Sequence, residues 1–239
     1  MSGKKTFEKL KKQIKTFSPL VTSWNSAKEL FNPKTIDKTL TEIVGLANLR
    51  LAVTIFIIAA FLSTLLSILA LIESAQLVNF TSETITEALG VEGQKVGFAE
   101  TAPLALFQLI TGLPLALIVN MVGEWIGYRL AKISGGKGTF EKQFYLASVI
   151  TLSLAMVNVL ALLTPIPCVQ VIAWMGIVIG MIYLGAYVMC KAYSMVHEIS
   201  FVHSLAIVLM VSIMRAAVII FVMNLISAWL NLPAYFELQ

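Results

Sequence analysis

Arg215 is the residue whose surroundings raise the sharpest chemical question. It is the only charged residue between Ser204 and Leu230, a run long enough to cross a bilayer. Charged and polar side chains at membrane depth either line a path for ions or solutes or pair with one another inside a helix bundle. The other residues of this kind in or beside apolar runs are Asn120, Glu124, Asn158 and Asn224.

Helical rise predicts Asn158 as the partner of Arg215. Counted from Ser204, Arg215 lies about 16 Å deep, and Asn158 lies about 22 Å deep when counted from Gln143. Glu124 is the only carboxylate candidate for pairing with Arg215, and the same count places Glu124 more than about 10 Å shallower than Arg215, near the interface. We therefore expect Arg215 to pack against Asn158 and nearby carbonyl groups, which would hold the last span in register.

Catalytic and metal-binding patterns are missing from the sequence. It contains no HExxH or GxSxG motif and no pair of carboxylates within an apolar run. Cys168 and Cys190 stand about 33 Å apart on one helix, which forbids a disulfide between them. His197, Glu198 and His203 share a short polar segment, but their spacing fits no standard zinc pattern, and solvation at the interface is the expected role. The prediction is a protein that is not an enzyme and has no cofactor.

The elements that must position the polar residues are membrane spans. Hydrophobic residues make up 58% of the chain and charged residues only 13%, whereas soluble proteins carry about 25% charged residues. Two prolines in "TPIPC" break the longest uncharged stretch into a hairpin. The sequence thus predicts an all-α, polytopic bundle of five transmembrane helices, at about 51–72, 101–123, 143–163, 169–190 and 204–230.

The distribution of lysine and arginine predicts the orientation of these spans. Fifteen of them fall in segments assigned to the cytoplasmic side, and only Lys95 falls in the segment 73–100, which also carries five glutamates and a short predicted helix near 82–89. The positive-inside rule then places the N-terminus inside and the C-terminus, with the tail 233–239, outside. The positive charge thus belongs to a membrane surface, and no nucleic-acid partner is predicted.

Residues 1–48 form a basic, amphipathic cytoplasmic head in front of the five-span domain 49–232. Phe7, Leu10, Ile14 and Phe17 recur at helical spacing, a pattern typical of an interfacial helix on anionic lipid. The alternative is a disordered basic tail. Two further short helices are predicted over "SWNSAKELF" and from Ile36 towards Leu49, with Asn32 or Thr35 as a cap. The membrane-surface lysines are Lys4, Lys5, Lys9, Lys11, Lys12 and Lys15.

Small residues form stripes on several spans, which lets neighbouring helices approach closely. The clearest pairs are Gly123 with Gly127, and Gly176 with Gly180. They predict either packing within one chain or association into homo- or hetero-oligomers, and the sequence leaves both readings open.

Several segments together resemble the Yip family, the Rab/Ypt-interacting-protein domain. They are the Pro19–Trp24 and Phe31–Pro33 elements of the head, "GGKGTFEKQFYLASVITLSLAMVNVL", the "TPIP" break and "MVHEISFVHSLAIVLM". The resemblance implies a non-enzymatic membrane protein with five spans and an inside N-terminus. Eukaryotic relatives act at early secretory membranes of the ER and Golgi. The short head lacks the Asp-Leu-Tyr-Gly-Pro element of those relatives, which favours a prokaryotic, archaeal or bacterial, plasma-membrane version.

Two functions remain open at this level. A membrane-organising or trafficking-type scaffold explains the small-residue stripes, the basic surface and the missing catalytic groups. A small-solute or ion permease is the alternative, with a polar path around Arg215. An odd number of spans without similar halves speaks against the repeat architecture of many transporters. A packed polar cluster would favour the scaffold, and a water-filled cavity reaching Arg215 would favour the permease.

Overall fold

The computed structural model describes residues 19–89, 108–164 and 166–229, and the part it describes is helical with no strand. Five of its helices are long and apolar enough to cross a membrane. The predicted all-α bundle with five spans is thereby confirmed, and the chain is a multi-pass membrane protein. The segments that qualify are Leu49–Ala70, Ile110–Ile133, Phe140–Leu163, Cys168–His197 and Phe201–Val222.

The head forms a helical hairpin that packs against the bundle. Helix α1 covers residues 19–29, so it begins four residues before the predicted stretch "SWNSAKELF" and ends two residues before that stretch does. Helix α2 covers Ile36–Gly45, within the predicted stretch from Ile36 towards Leu49. Thr35 is the residue before α2, but its side chain makes no capping hydrogen bond. The buried face of the hairpin is apolar and includes Ala27, Leu30, Ile36, Leu40 and Ile43.

Helix α3, Leu49–Leu89, is longer than the predicted first span. Asn48 caps its start, because the side-chain oxygen accepts hydrogen bonds from the N–H groups of Arg50 at 2.9 Å and Leu51 at 3.2 Å. The sequence predicts a loop after residue 72 with a separate short helix. The structure instead continues α3 without a break to Leu89, since no proline or glycine interrupts residues 73–89.

Helix α4, Leu113–Ile133, follows a short π-helical segment, Gln108–Gly112. The predicted second span, 101–123, is wrong at its C-terminal end, because the helix continues ten residues further. From the sequence alone, Glu124 is expected to be a charged residue that flanks the span. In the structure Glu124 lies inside the span with only 2% of its surface exposed, and a partner described below neutralises it. Residues 101–107 lie outside the described part of the chain.

Helix α5, Phe140–Val157, is the central helix of the bundle. Most of its residues between Gln143 and Val157 are buried, and it extends through a 3₁₀ segment, Asn158–Leu163. The Thr139 side chain caps its start by accepting a hydrogen bond from the Lys142 N–H. The "TPIP" break then ends the span, and the next helix begins at Pro167, a position where proline is favoured.

The fourth and fifth spans form the rest of the bundle. Helix α6, Pro167–Gly180, continues through a π-helical stretch, Met181–Val188, into α7, Met189–His197. A tight turn through Glu198, which adopts a left-handed backbone conformation (φ 56°), leads into α8, Phe201–Trp229.

The connections α2–α3, α4–α5 and α7–α8 meet at one end of the bundle, which we call the loop end. The Leu49 N–H donates to a Glu141 carboxylate oxygen at 3.0 Å, and the Lys137 N–H donates to the His197 carbonyl at 3.0 Å. Helices α4 and α8 are therefore antiparallel, because α4 ends at the loop end and α8 begins there.

Candidate functional site

A buried group of polar side chains joins four helices of the bundle near the loop end. We call it the polar cluster, and it consists of Glu124 on α4, Gln143 on α5, Tyr193 and His197 on α7, and Arg215 on α8. All except Arg215 are almost completely buried. Since buried polar groups are costly without partners, the cluster must be satisfied internally.

The Glu124 carboxylate lies at the centre of the cluster, and Arg215 is its ionic partner. Arg215 Nη2 lies 2.6 Å from Glu124 Oε1 and donates a weaker hydrogen bond to the Asn120 carbonyl at 3.4 Å. The exposed fraction of the Arg215 side chain is 19%, and that of Glu124 is 3%. The ion pair thus lets two charges lie within a span without leaving either one bare.

The second carboxylate oxygen of Glu124 accepts two neutral donors. The Tyr193 hydroxyl donates to Oε2 at 2.7 Å, and Gln143 Nε2 lies 2.9 Å from the same oxygen. Gln143 Nε2 also lies 2.8 Å from the Glu124 carbonyl and 2.6 Å from the Tyr193 hydroxyl oxygen. With Arg215, donors from three different helices therefore converge on one carboxylate.

His197 extends the cluster to the turn between α7 and α8. Its Nε2 lies 2.8 Å from Gln143 Oε1, and since an amide oxygen only accepts, Nε2 must carry the proton. The hydrogen bonds then run in one direction, from His197 through the Gln143 amide to Glu124. His197 Nδ1 is buried and has no hydrogen-bond partner in the described part of the chain.

Two glycines predicted to pack helices lie directly beside the cluster. A Cβ atom built on Gly123 would overlap Nε of Arg215, and one built on Gly127 would overlap the hydroxyl of Tyr193. The pair therefore provides room for the polar side chains of α7 and α8. Gly176 and Gly180 lie elsewhere, since added Cβ atoms would meet Leu160 Cδ1 at 2.8 Å and Val157 Cγ1 at 2.7 Å.

The predicted pairing of Arg215 with Asn158 is wrong. Asn158 donates instead to the Ser63 hydroxyl on α3 at 3.4 Å, and Arg215 meets the second span rather than the third. Side chains on a helix lean towards its N-terminus. Arg215 on α8 therefore leans towards the loop end, and Glu124 on the antiparallel α4 leans away from it. By helical rise, the Cα atom of Arg215 lies about 21 Å from the loop end and that of Glu124 about 14 Å. The opposite leans of the two side chains bridge this difference of about 7 Å.

Sequence reasoning did not find Gln143, Tyr193 and His197 as members of one cluster. Tyr193 and His197 are four residues apart and so share a helix face, and this spacing is the feature of the sequence that indicates they lie together. Glu198, grouped with His197 from the sequence, turns outward to Lys137, with 2.9 Å between carboxylate and ammonium. The described residues contain no group of three side chains that could hold a metal ion.

The Lys137–Glu198 pair lies outside the spans and titrates as an exposed ion pair. The hydrogen bond and the charge of Lys137 lower the pKa of Glu198 from its ordinary value of 4.5. The same hydrogen bond and charge raise the pKa of Lys137 from 10.5. Both side chains are well exposed, so the pair fixes the turn locally rather than the bundle.

Basic side chains lie over aromatic rings near the loop end. Arg129 lies 5.2 Å from the ring centre of Trp125, and Lys191 lies 5.7 Å from that of Tyr187. Such pairs are typical of a membrane–water boundary, where aromatic rings and long basic side chains share the interface. The predicted surface lysines, Lys4 to Lys15, lie outside the described part of the chain.

Comparisons of the chain with protein-family models, with curated proteins and with solved structures gave no match.

Proposed function

We propose that this protein is a non-enzymatic membrane-organising or trafficking-type scaffold. In this proposal the five-span bundle is a rigid membrane platform, and the loop end with the α1–α2 hairpin presents the basic surface. The lipid bilayer is one partner, with anionic lipids at the basic face, and other membrane proteins or further copies of the chain are the others.

The observation that carries the proposal is that both carboxylate oxygens of Glu124, the buried acidic group inside the second span, are occupied by donors from other helices. Glu124 receives hydrogen bonds from Arg215, Tyr193 and Gln143, and only Arg215 among these is noticeably exposed. A transport site needs polar groups that can exchange partners with a solute. A carboxylate held by donors from three helices instead supports a structural lock between them.

The alternative is a permease with a polar path around Arg215. Its predicted lining residues fall into separate groups. Asn120, Glu124 and Arg215 meet between α4 and α8, whereas Asn158 contacts α3 through Ser63. This separation favours the scaffold.

The relationship to the Yip family and the orientation of the spans belong to the same proposal. Of what the resemblance implies, the number of long apolar helices supports the proposal. In that reading the loop end faces the cytoplasm and the protein resides in a prokaryotic cell membrane, or in ER and Golgi membranes if the source is eukaryotic.

Two measurements on the full chain distinguish the scaffold from the permease. In native membranes, a photoreactive residue at the exposed position Met175 on α6 should form discrete cross-links to protein, whereas one at the buried position Ile177 on the same helix should not. In sealed liposomes under an imposed potential, proton and potassium flux should equal that of protein-free liposomes. A flux that Glu124→Gln abolishes would reverse the choice in favour of the permease.

A further inference from the structure

A cleft of about 550 Å³ lies at the loop end between the head and the first span. The start of α1, the α2–α3 connection and the first turns of α3 surround it. Its walls are mainly apolar and its base includes the buried Tyr145. The apolar lining residues are Pro19, Leu20, Leu46 and Leu51.

The base of the cleft is held by a chain of hydrogen bonds. The Ser23 hydroxyl donates to the Pro19 carbonyl at 2.8 Å. Its proton is therefore used, and the Tyr145 hydroxyl must be the donor in the 2.9 Å contact between Tyr145 and Ser23. Tyr145 thus connects α1 to α5 and has no proton left for a ligand.

Two side chains in the cleft retain donors for an anion. Asn48 Oδ1 already accepts from the N–H groups of Arg50 and Leu51, which turns its NH₂ group away from the helix. The Arg50 side chain lines the cleft, is exposed, and forms no ion pair or hydrogen bond with the described part of the chain. The Leu49 N–H is occupied by Glu141, so anion binding rests on the Arg50 guanidinium and the Asn48 amide.

The surroundings of the cleft fit an amphiphile rather than a dissolved ion. It lies where the first span begins, at Leu49, which is the level of lipid headgroups. Leu46 lines the cleft and is exposed, and Val21 and Leu49, which adjoin lining residues along the chain, are exposed too. Exposed apolar side chains near a cation suit a molecule with a charged head and an apolar body. Trp24, with Lys28 located 5.6 Å from its ring centre, adds an interfacial aromatic group on α1.

We propose that this cleft binds the phosphodiester headgroup of an anionic phospholipid. Arg50 binds the phosphate, because a guanidinium matches two phosphate oxygens at once, and Asn48 adds a neutral donor. Leu46 and Leu51 contact the glycerol and the first methylene groups. The inference requires only that the chain spans a membrane, so it holds whether the scaffold or the permease is correct.

Native mass spectrometry of the full chain, released from detergent after titration with short-chain lipids, tests this site. The probes are dioctanoyl phosphatidylglycerol, dioctanoyl phosphatidylcholine and glycerol 3-phosphate. We expect one tightly bound phosphatidylglycerol per chain, weaker phosphatidylcholine and no glycerol 3-phosphate. Arg50→Ala should weaken phosphatidylglycerol about tenfold, or about 1.4 kcal/mol.

Matched variants separate a specific site from general surface charge. Arg129→Ala removes another exposed loop-end arginine that does not line the cleft, and it should change affinity less than about twofold because remote charges are screened. Leu46→Trp fills the cleft from an exposed position and should block binding with every charge retained. Arg50→Lys keeps the charge without the two-oxygen fork and should bind with intermediate affinity.

Four outcomes would overturn the proposal. The first is equal binding of phosphatidylglycerol by Arg50→Ala and the unmodified chain, and the second is an equal loss of binding in Arg50→Ala and Arg129→Ala. The third is binding of glycerol 3-phosphate as tightly as the lipid. The fourth is a dimer that forms only without lipid, which would mean that a second copy of the chain occupies the cleft. If Arg50→Ala does not fold, Leu46→Trp and Arg50→Lys decide the question, and binding by Leu46→Trp at full affinity would exclude the cleft.

Discussion

Replacing Arg215 by leucine should destabilise the bundle strongly at pH 7, because it leaves the Glu124 carboxylate unpaired while only 2% of Glu124 is exposed. Removing one partner of a buried ion pair typically costs about 3–5 kcal/mol. The remaining bonds from Tyr193 and Gln143 persist, so we expect a loss near 3 kcal/mol.

This loss has a measurable thermal equivalent. A protein of this size shifts its Tm by about 2–4 °C for each kcal/mol, so the variant should melt about 6–12 °C lower in a fixed detergent.

A second substitution should partly reverse the first. Glu124→Gln added to Arg215→Leu removes the unpaired charge and keeps an oxygen that can accept from Tyr193, so the double variant should melt above Arg215→Leu alone. Asn158→Leu should add independently to Arg215→Leu, because Asn158 contacts Ser63 and not the polar cluster.

An exposed ion pair supplies the control for these variants. Lys137→Leu breaks the pair with Glu198. Because the Lys137 side chain is 77% exposed and that of Glu198 is 62% exposed, this substitution should leave Tm unchanged within measurement error. The reasoning fails if Arg215→Leu melts with the unmodified chain at pH 7, or if the double variant melts lower than Arg215→Leu.

Three further predictions concern packing, pH and orientation. Gly123→Ala should lower Tm, because the added Cβ would overlap Arg215. Gly185→Ala should leave Tm unchanged, because nothing lies within 4 Å of a Cβ at that position. Equal shifts of Tm in the two variants would contradict the packing role of Gly123. The lowered pKa of Glu198 means that its ion pair stabilises the α7–α8 turn above the ordinary glutamate range and is lost as the pH falls through the lowered value. The protection of the Lys137 amide, taken relative to its intrinsic exchange rate at the same pH, should therefore fall at low pH, and Glu198→Gln should abolish that change. In a background without native cysteines, a cysteine at Lys137 should be labelled from the cytoplasm and one at Gln94 from outside; the opposite pattern would invert the predicted orientation.

Local composition was sufficient for much of the fold. The proline break, the head helices and the number of spans each depend on neighbouring residues, and these predictions are confirmed. The end of the second span is different, because Glu124 reads as a flanking charge when only its own segment is considered. Its burial depends on Arg215, which is 91 residues away along the chain. A single sequence without related sequences carries no direct sign of such a pairing.

The position of Arg215 also shows why counting residues misjudged its depth. The count follows Cα atoms, but the cost of a charge depends on where its guanidinium lies. The lean of α8 side chains brings that group to Glu124, the residue next to Trp125, whose ring is covered by Arg129 near the loop end. Arginine can therefore have its Cα atom about 7 Å further from the loop end than that of its partner and still meet the carboxylate. The polar cluster then links α4 and α8 within the span, at a level that a count of Cα atoms alone does not predict.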